Sequence, residues 1–197
     1  METWAVAITL FLIMDPLGNI PVFLSVLKNV AEKRRLFVLA RELVIALAIM
    51  MAFLFAGPAL LKTLSLSREA VSIGGGLVLM IIAIRMIFPS RGGVMGDEED
   101  GGEPLVVPLA VPMIAGPSVL ATLVLVTESQ PDREVDWLIA LVAAWAASTA
   151  ILLCSNFLYR ILGARGLKAI ERLMGMILIS IAVQMLLDGM HSYLGNS

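Results

Sequence analysis

Apolar residues fall into six runs along the chain, at positions 4–27, 43–61, 70–88, 105–126, 137–159 and 173–190. Polar or charged stretches separate them. Each run is near the length of about 20 residues that takes an α-helix across a bilayer. The pattern predicts an all-α integral membrane protein with six transmembrane helices.

Two of the runs are interrupted. The first carries Asp15-Pro16-Leu17-Gly18-Asn19-Ile20-Pro21 in its middle. In a continuous helix, Pro16 and Pro21 would leave the carbonyls of Leu12 and Leu17 without donors. Each proline costs a helix interior roughly 3 kcal/mol, and an aspartate at mid-depth adds about 2.5–3.5 kcal/mol. Taken alone, this stretch reads equally as a kinked helix or as a broken one lining a polar site. The fourth run decides between them, because it carries Pro112-Met113-Ile114-Ala115-Gly116-Pro117. Pro16 and Pro112 are 96 positions apart, as are Pro21 and Pro117. Interrupted segments at corresponding places in two halves mark transporter binding sites.

The halves divide as residues 1–88 and 105–197, three runs each, with 89–104 between them. Three spans per half give the halves opposite orientation, so the expectation is two inverted three-helix repeats with the first and fourth helices broken at mid-membrane. The third and sixth runs agree at an offset of 99, where Gly76, Ala83 and Met86 meet Gly175, Ala182 and Met185. The second and fifth runs match only weakly.

Charge sets the orientation. Lys28, Lys33, Arg34, Arg35 and Arg41 follow the first run, and Arg160, Arg165, Lys168 and Arg172 follow the fifth. Short basic loops stay in the cytoplasm, so both termini are expected outside. The segment 89–104 carries Asp97, Glu98, Glu99, Asp100 and Glu103 among glycines, and reads as a solvated linker rather than a metal site.

Composition agrees with this class. The 197 residues are 59% hydrophobic and 15% charged, with mean hydropathy +0.95, where a soluble domain carries about 25% charge. Met1-Glu2-Thr3 lacks a basic leader, so the first run is expected to remain as a span. Cys154 has no partner for a disulfide or a thiol relay. No His-Glu-x-x-His or Gly-x-Ser-x-Gly pattern occurs, and Asp15 reads as the only acid at mid-depth, so enzyme chemistry and a cofactor are not expected.

Asn19 can cap the half-helix after the first break, with Pro21 opening it. Gly116 can precede the second, with Pro117 opening it. Two half-helix N-termini aimed at mid-membrane from opposite sides would seat a carboxylate. Asp15 and the freed carbonyls offer acceptors for an ammonium group, a proton or a metal cation. A small zwitterion suits such a site.

Asp-Pro-x-Gly-Asn-x-Pro in the first run and Val-Pro-x-Ile-Ala-Gly-Pro in the fourth resemble the MarC family of bacterial and archaeal inner-membrane proteins. Glu171-Arg172-Leu173-Met174-Gly175 does so too, and the likeness runs end to end. The resemblance implies six spans, an inverted repeat and transport of small neutral amino acids such as glycine and alanine. On this basis the candidate substrate-binding residues in the first half are Asp15, Pro16, Gly18, Asn19 and Pro21. In the second half they are Pro112, Ala115, Gly116, Pro117 and Ser118. A proton or sodium ion is the coupling ion weighed. Nucleic acid is not a partner, and a homo-oligomer stays open. Metal-ion export, drug or metabolite export and an ion channel remain the rival readings.

Overall fold

The computed structural model describes residues 2–28, 30–88 and 114–195. These form seven α-helices and one short 3-10 turn, without a strand among the described residues. The helices are α1 (Thr3–Met14), α2 (Pro16–Lys28), α3 (Glu32–Thr63), α4 (Arg68–Ile87), α5 (Pro117–Ser129), α6 (Glu134–Leu153) and α7 (Ser155–Gly195). Among the described residues, five stretches are long and apolar enough to cross a membrane: Thr3–Pro21, Lys33–Thr63, Arg68–Ile87, Pro131–Leu153 and Arg165–Leu194. The architecture is that of an all-α integral membrane protein. Helix α5 has 13 residues, about 20 Å, short of the roughly 30 Å hydrocarbon core. The residues expected to complete its span, 105–113, and the acidic linker lie outside the described residues.

The helices differ from the apolar runs at their ends. Helix α3 starts at Glu32 rather than near position 43, so Lys33, Arg34, Arg35 and Arg41 lie on helix, not in a loop. Lys, Arg and Leu are good helix formers, and the 32 residues of α3 extend about 48 Å, well beyond the bilayer core. Helix α6 stops at Leu153, short of position 159. Helix α7 then takes up Arg160, Arg165, Lys168 and Arg172, and is broken at Gly163, whose φ of 63° lies where glycine alone is at ease.

Directions follow from cross-helix contacts. The Ser118 hydroxyl donates to the Gly75 carbonyl (2.9 Å), and Arg68 pairs with Glu128 (3.2 Å), so α4 and α5 run antiparallel. Arg133 donates to the Thr3 hydroxyl (3.1 Å), and Ser148 meets the Met14 sulfur (3.6 Å), so α1 and α6 run parallel. Gly57 lies against Val124, and the chain leaving α3 brings Arg68 to Glu128, so α3 and α5 are parallel. Helix α6 turns back after residues 131–133 and is antiparallel to α3.

The most extensive seam joins α4 to α7. A Cβ added at Gly76 would lie 3.0 Å from the Ala182 carbonyl oxygen and 3.2 Å from Met185 Cβ. A Cβ at Gly175 would lie 3.1 Å from the Ala83 carbonyl oxygen and 3.2 Å from Met86 Cβ. Each contact of Gly76 thus recurs 99 positions on, with the two helices exchanged. Two further pairs exchange in the same way: α2 lies on α7 and α6, and α5 lies on α4 and α3. Small residues let helices approach this closely in lipid. Gly74, by contrast, has nothing within 4 Å of its added Cβ. Gly76→Ala is expected to lower stability by about 1–3 kcal/mol through overpacking, while Gly74→Ala is neutral or stabilising by up to about 1 kcal/mol. Melting curves of the two purified variants check this, and equal shifts would contradict the seam.

Candidate functional site

Helices α1 and α2 are separated by one residue. Asp15 adopts φ 44°, ψ 59°, the left-handed conformation. Pro16 explains the position, because a proline pushes the residue before it out of right-handed helix. Aspartate explains the tolerance, since its short polar side chain makes it one of the few residues found left-handed. The Asp15 N–H donates to the Phe11 and Leu12 carbonyls, each at 3.1 Å, so the Leu12 carbonyl is satisfied despite Pro16. Asp15 Oδ1 accepts the Gly18 N–H (3.1 Å), and its carbonyl accepts the Asn19 N–H (3.1 Å). One residue closes α1 and caps α2.

This corrects the expected capping. Asn19 lies inside the second half-helix and does not start it. Its amide donates to the Met14 carbonyl (3.0 Å), tying α2 back across the break. Pro21 is likewise interior to α2, and Pro16 holds its first position, where a missing N–H costs nothing. Gly18 is required by space: a Cβ there would collide with the Asp15 carboxylate and with Met86 Cε from α4.

At the second motif the described residues begin with Ile114, and the start of α5 follows the expectation. Ile114 and Ala115 are buried, Gly116 is extended (φ −71°, ψ 161°), and Pro117 opens α5. Gly116 supplies no side-chain cap, so the first N–H groups of α5 lack intrahelical acceptors. The Ser118 hydroxyl is committed to the Gly75 carbonyl and holds α5 on α4. Pro112 lies outside the described residues. Helix α4 touches the first break at Met86 and the start of α5 at Gly75, eleven residues or about 16 Å apart along its axis. Met86 leans back toward Gly18 and shortens that gap.

Asp15 is buried, and its Oδ2 accepts no hydrogen bond from the described residues. The charge acting on it, Glu171 on α7, has the same sign. Arg85, weighed from sequence as a counter-ion, has an exposed side chain, and Asp15 forms no ion pair among the described residues.

A family model described as MarC family integral membrane protein matches residues 1–194. The chain belongs to the MarC family. The inner membrane protein YhgN of Escherichia coli K12 is 50% identical over 193 residues, covering 98% of each chain. A membrane protein of Buchnera aphidicola (Baizongia pistaciae) is 46% identical over 198 residues, and one of Pyrococcus abyssi 33% over 200, each covering at least 98% of both chains. All three carry the designation UPF0056. No solved structure matches. With relatives named as inner membrane proteins and, among the described residues, five apolar stretches long enough to cross a membrane, this MarC protein is a multi-pass membrane protein.

A second buried acid is concealed by the apolar runs. Glu42 on α3 is 0% exposed, so Asp15 is not the only buried acid. Its Oε1 accepts two bonds from Arg41, at 3.1 and 2.8 Å, while Oε2 has no partner among the described residues. A signal was present in the sequence. Leu54, Met50 and Ala46 form a buried stripe at four-residue spacing, and the same step backward lands on Glu42 and then Val38. The second apolar run begins at position 43, which leaves Glu42 in the loop before it.

Proposed function

We propose that this MarC protein is a secondary transporter of a small neutral zwitterion, the size of glycine or alanine, working by alternating access. The reading takes six spans as two inverted three-helix repeats, with residues 105–113 completing the fourth. The exchanged contacts of Gly76 and Gly175 support it, since two-fold-related elements make reciprocal contacts. The reading takes the ends of α3 and α7 that carry Lys33, Arg34, Arg35 and Arg41, and Arg160, Arg165, Lys168 and Arg172, as cytoplasmic, with both termini outside. A reporter cysteine at position 162 in a Cys154→Ser background should resist impermeant reagents in intact cells. Labelling from outside would refute this orientation.

The observation that carries the reading is Asp15 Oδ2: a carboxylate oxygen buried within a span, without a partner among the described residues, at a break whose expected counterpart is the start of α5 after Gly116. A lone intramembrane acid is expensive unless it faces water, a partner or a substrate. Asp15 Oδ1 already occupies the start of α2, so the carboxylate seat falls to α5 alone. The substrate carboxylate sits at the open N–H groups after Gly116. Its ammonium group meets Asp15 Oδ2. Bringing both ends within reach of so small a molecule is the closing step, because α4 holds the two breaks apart.

The test is ligand stabilisation of the purified protein across the common amino acids. A ligand at one hundred times its Kd stabilises the folded state by about 2.7 kcal/mol. Glycine or alanine should raise the melting temperature, and bulky side chains should not. No response to any amino acid would overturn the zwitterion reading in favour of metal or drug export.

A further inference from the structure

Asp15 Oδ2 is one of three buried side-chain oxygens without a partner among the described residues; the other two are Glu42 Oε2 and Thr149 Oγ1. A buried polar atom left unmatched costs about 1–3 kcal/mol, and more when charged. Leaving a buried ionic group half-satisfied is therefore a feature to explain. Helices α3 and α6 run antiparallel, and the Trp145 indole N–H donates to the Leu43 carbonyl (2.8 Å). In this antiparallel register, the turn of α6 beyond Trp145, which carries Thr149, falls level with the turn of α3 before Leu43, which carries Glu42. That same turn of α6 carries Ser148, whose hydroxyl meets the sulfur of Met14, next to Asp15.

We infer that Glu42 and Thr149 form a monovalent-cation site on the seam between α3 and α6, beside the break between α1 and α2. The site takes a proton or a sodium ion and couples it to transport, which rests on the transporter reading above. A carboxylate and a hydroxyl are hard oxygen ligands, suited to either ion. Arg41 already matches the charge of Glu42, so a monovalent ion leaves a smaller excess charge than a divalent one. Helix α5 carries no charged residue from 117 to 127, and α6 none from 137 to 153. Arg41 is the charged group that pairs with Glu42. Arg35, two turns earlier on α3, donates to the Val30 carbonyl (3.0 Å). An ion at Glu42 holds α3 against the turn of α6 that also supports the Asp15 break, and this links ion occupancy to the substrate seat.

The test uses the full chain in detergent without substrate. Melting temperature is followed against sodium chloride at fixed pH, with choline chloride keeping ionic strength constant. A second arm follows pH in sodium-free buffer. One arm should raise the wild-type melting temperature to a plateau. Glu42→Gln keeps the shape and an oxygen for Arg41, and should need at least tenfold more of that cation for the same rise. Thr149→Val should weaken the response severalfold, and it carries the test if Glu42→Gln fails to fold. No wild-type response in either arm, or one that both variants retain, overturns the proposal. If the cation response holds while glycine and alanine neither bind nor enter, the substrate reading falls and the cation site stands.

Discussion

Asp15→Asn is expected to insert and fold, to keep its melting temperature within a few degrees, and to lose at least 99% of glycine uptake in proteoliposomes. Asparagine tolerates the left-handed conformation, and its side-chain oxygen can still accept the Gly18 N–H. What disappears is the charge on the oxygen without a partner. Asp15→Ala removes three things at once. It loses the cap, worth about 1 kcal/mol, places a residue ill-suited to φ 44° at a cost of roughly 1–2 kcal/mol, and deletes the carboxylate. The alanine variant should therefore lose both stability and uptake, the asparagine variant uptake alone. Parallel melting and uptake curves separate these effects. Wild-type uptake by Asp15→Asn would remove Asp15 from the substrate seat.

Gly18→Ala should be among the most damaging single-methyl changes in the protein. Its Cβ would meet the Asp15 carboxylate on one side and Met86 on the other. The methionine can swing away, but the carboxylate is held by the turn it caps. Overpacking of this kind costs about 1–3 kcal/mol, and displacing Asp15 from the Gly18 N–H adds about 1 kcal/mol. The expected result is a clear fall in folded yield and melting temperature, together with a loss of uptake. Helix propensity alone would make the same change favourable by about 1 kcal/mol. A stabilised Gly18→Ala protein would therefore contradict the geometry of the break.

The first break and the start of α5 were legible because proline chemistry is local. Pro117 after Gly116 marked the start of α5 correctly. Gly76 and Gly175, matched in the sequence only as equivalent positions, both lie on the seam between α4 and α7. The first break was legible in place but not in detail. Both Pro16 and Pro21 could open a helix, and both Asp15 and Asn19 could cap one. The choice fell to Asp15 because a residue before proline is disfavoured in right-handed helix and aspartate tolerates the left-handed conformation, and one left-handed residue turns the chain without unwinding more. The extents of α3 and α7 were not legible from apolar runs. Lys, Arg and Leu continue a helix past the bilayer as readily as apolar residues cross it. Glu42 was hidden for the same reason, since a charge beside Arg41 at the edge of a run looks like the end of a span. The stripe of buried positions on α3 carries straight through it.

The central claim is that this MarC protein moves a small neutral amino acid across the membrane, and counterflow tests it most directly. Proteoliposomes loaded with unlabelled glycine are diluted into buffer containing trace labelled glycine, with no ion gradient imposed. A transporter with a saturable site accumulates the label transiently above its equilibrium level. Unlabelled alanine loaded inside should drive the same overshoot, and Asp15→Asn vesicles should show none. Label that rises only to equilibrium in wild-type vesicles, at the rate seen in protein-free vesicles, would contradict the account.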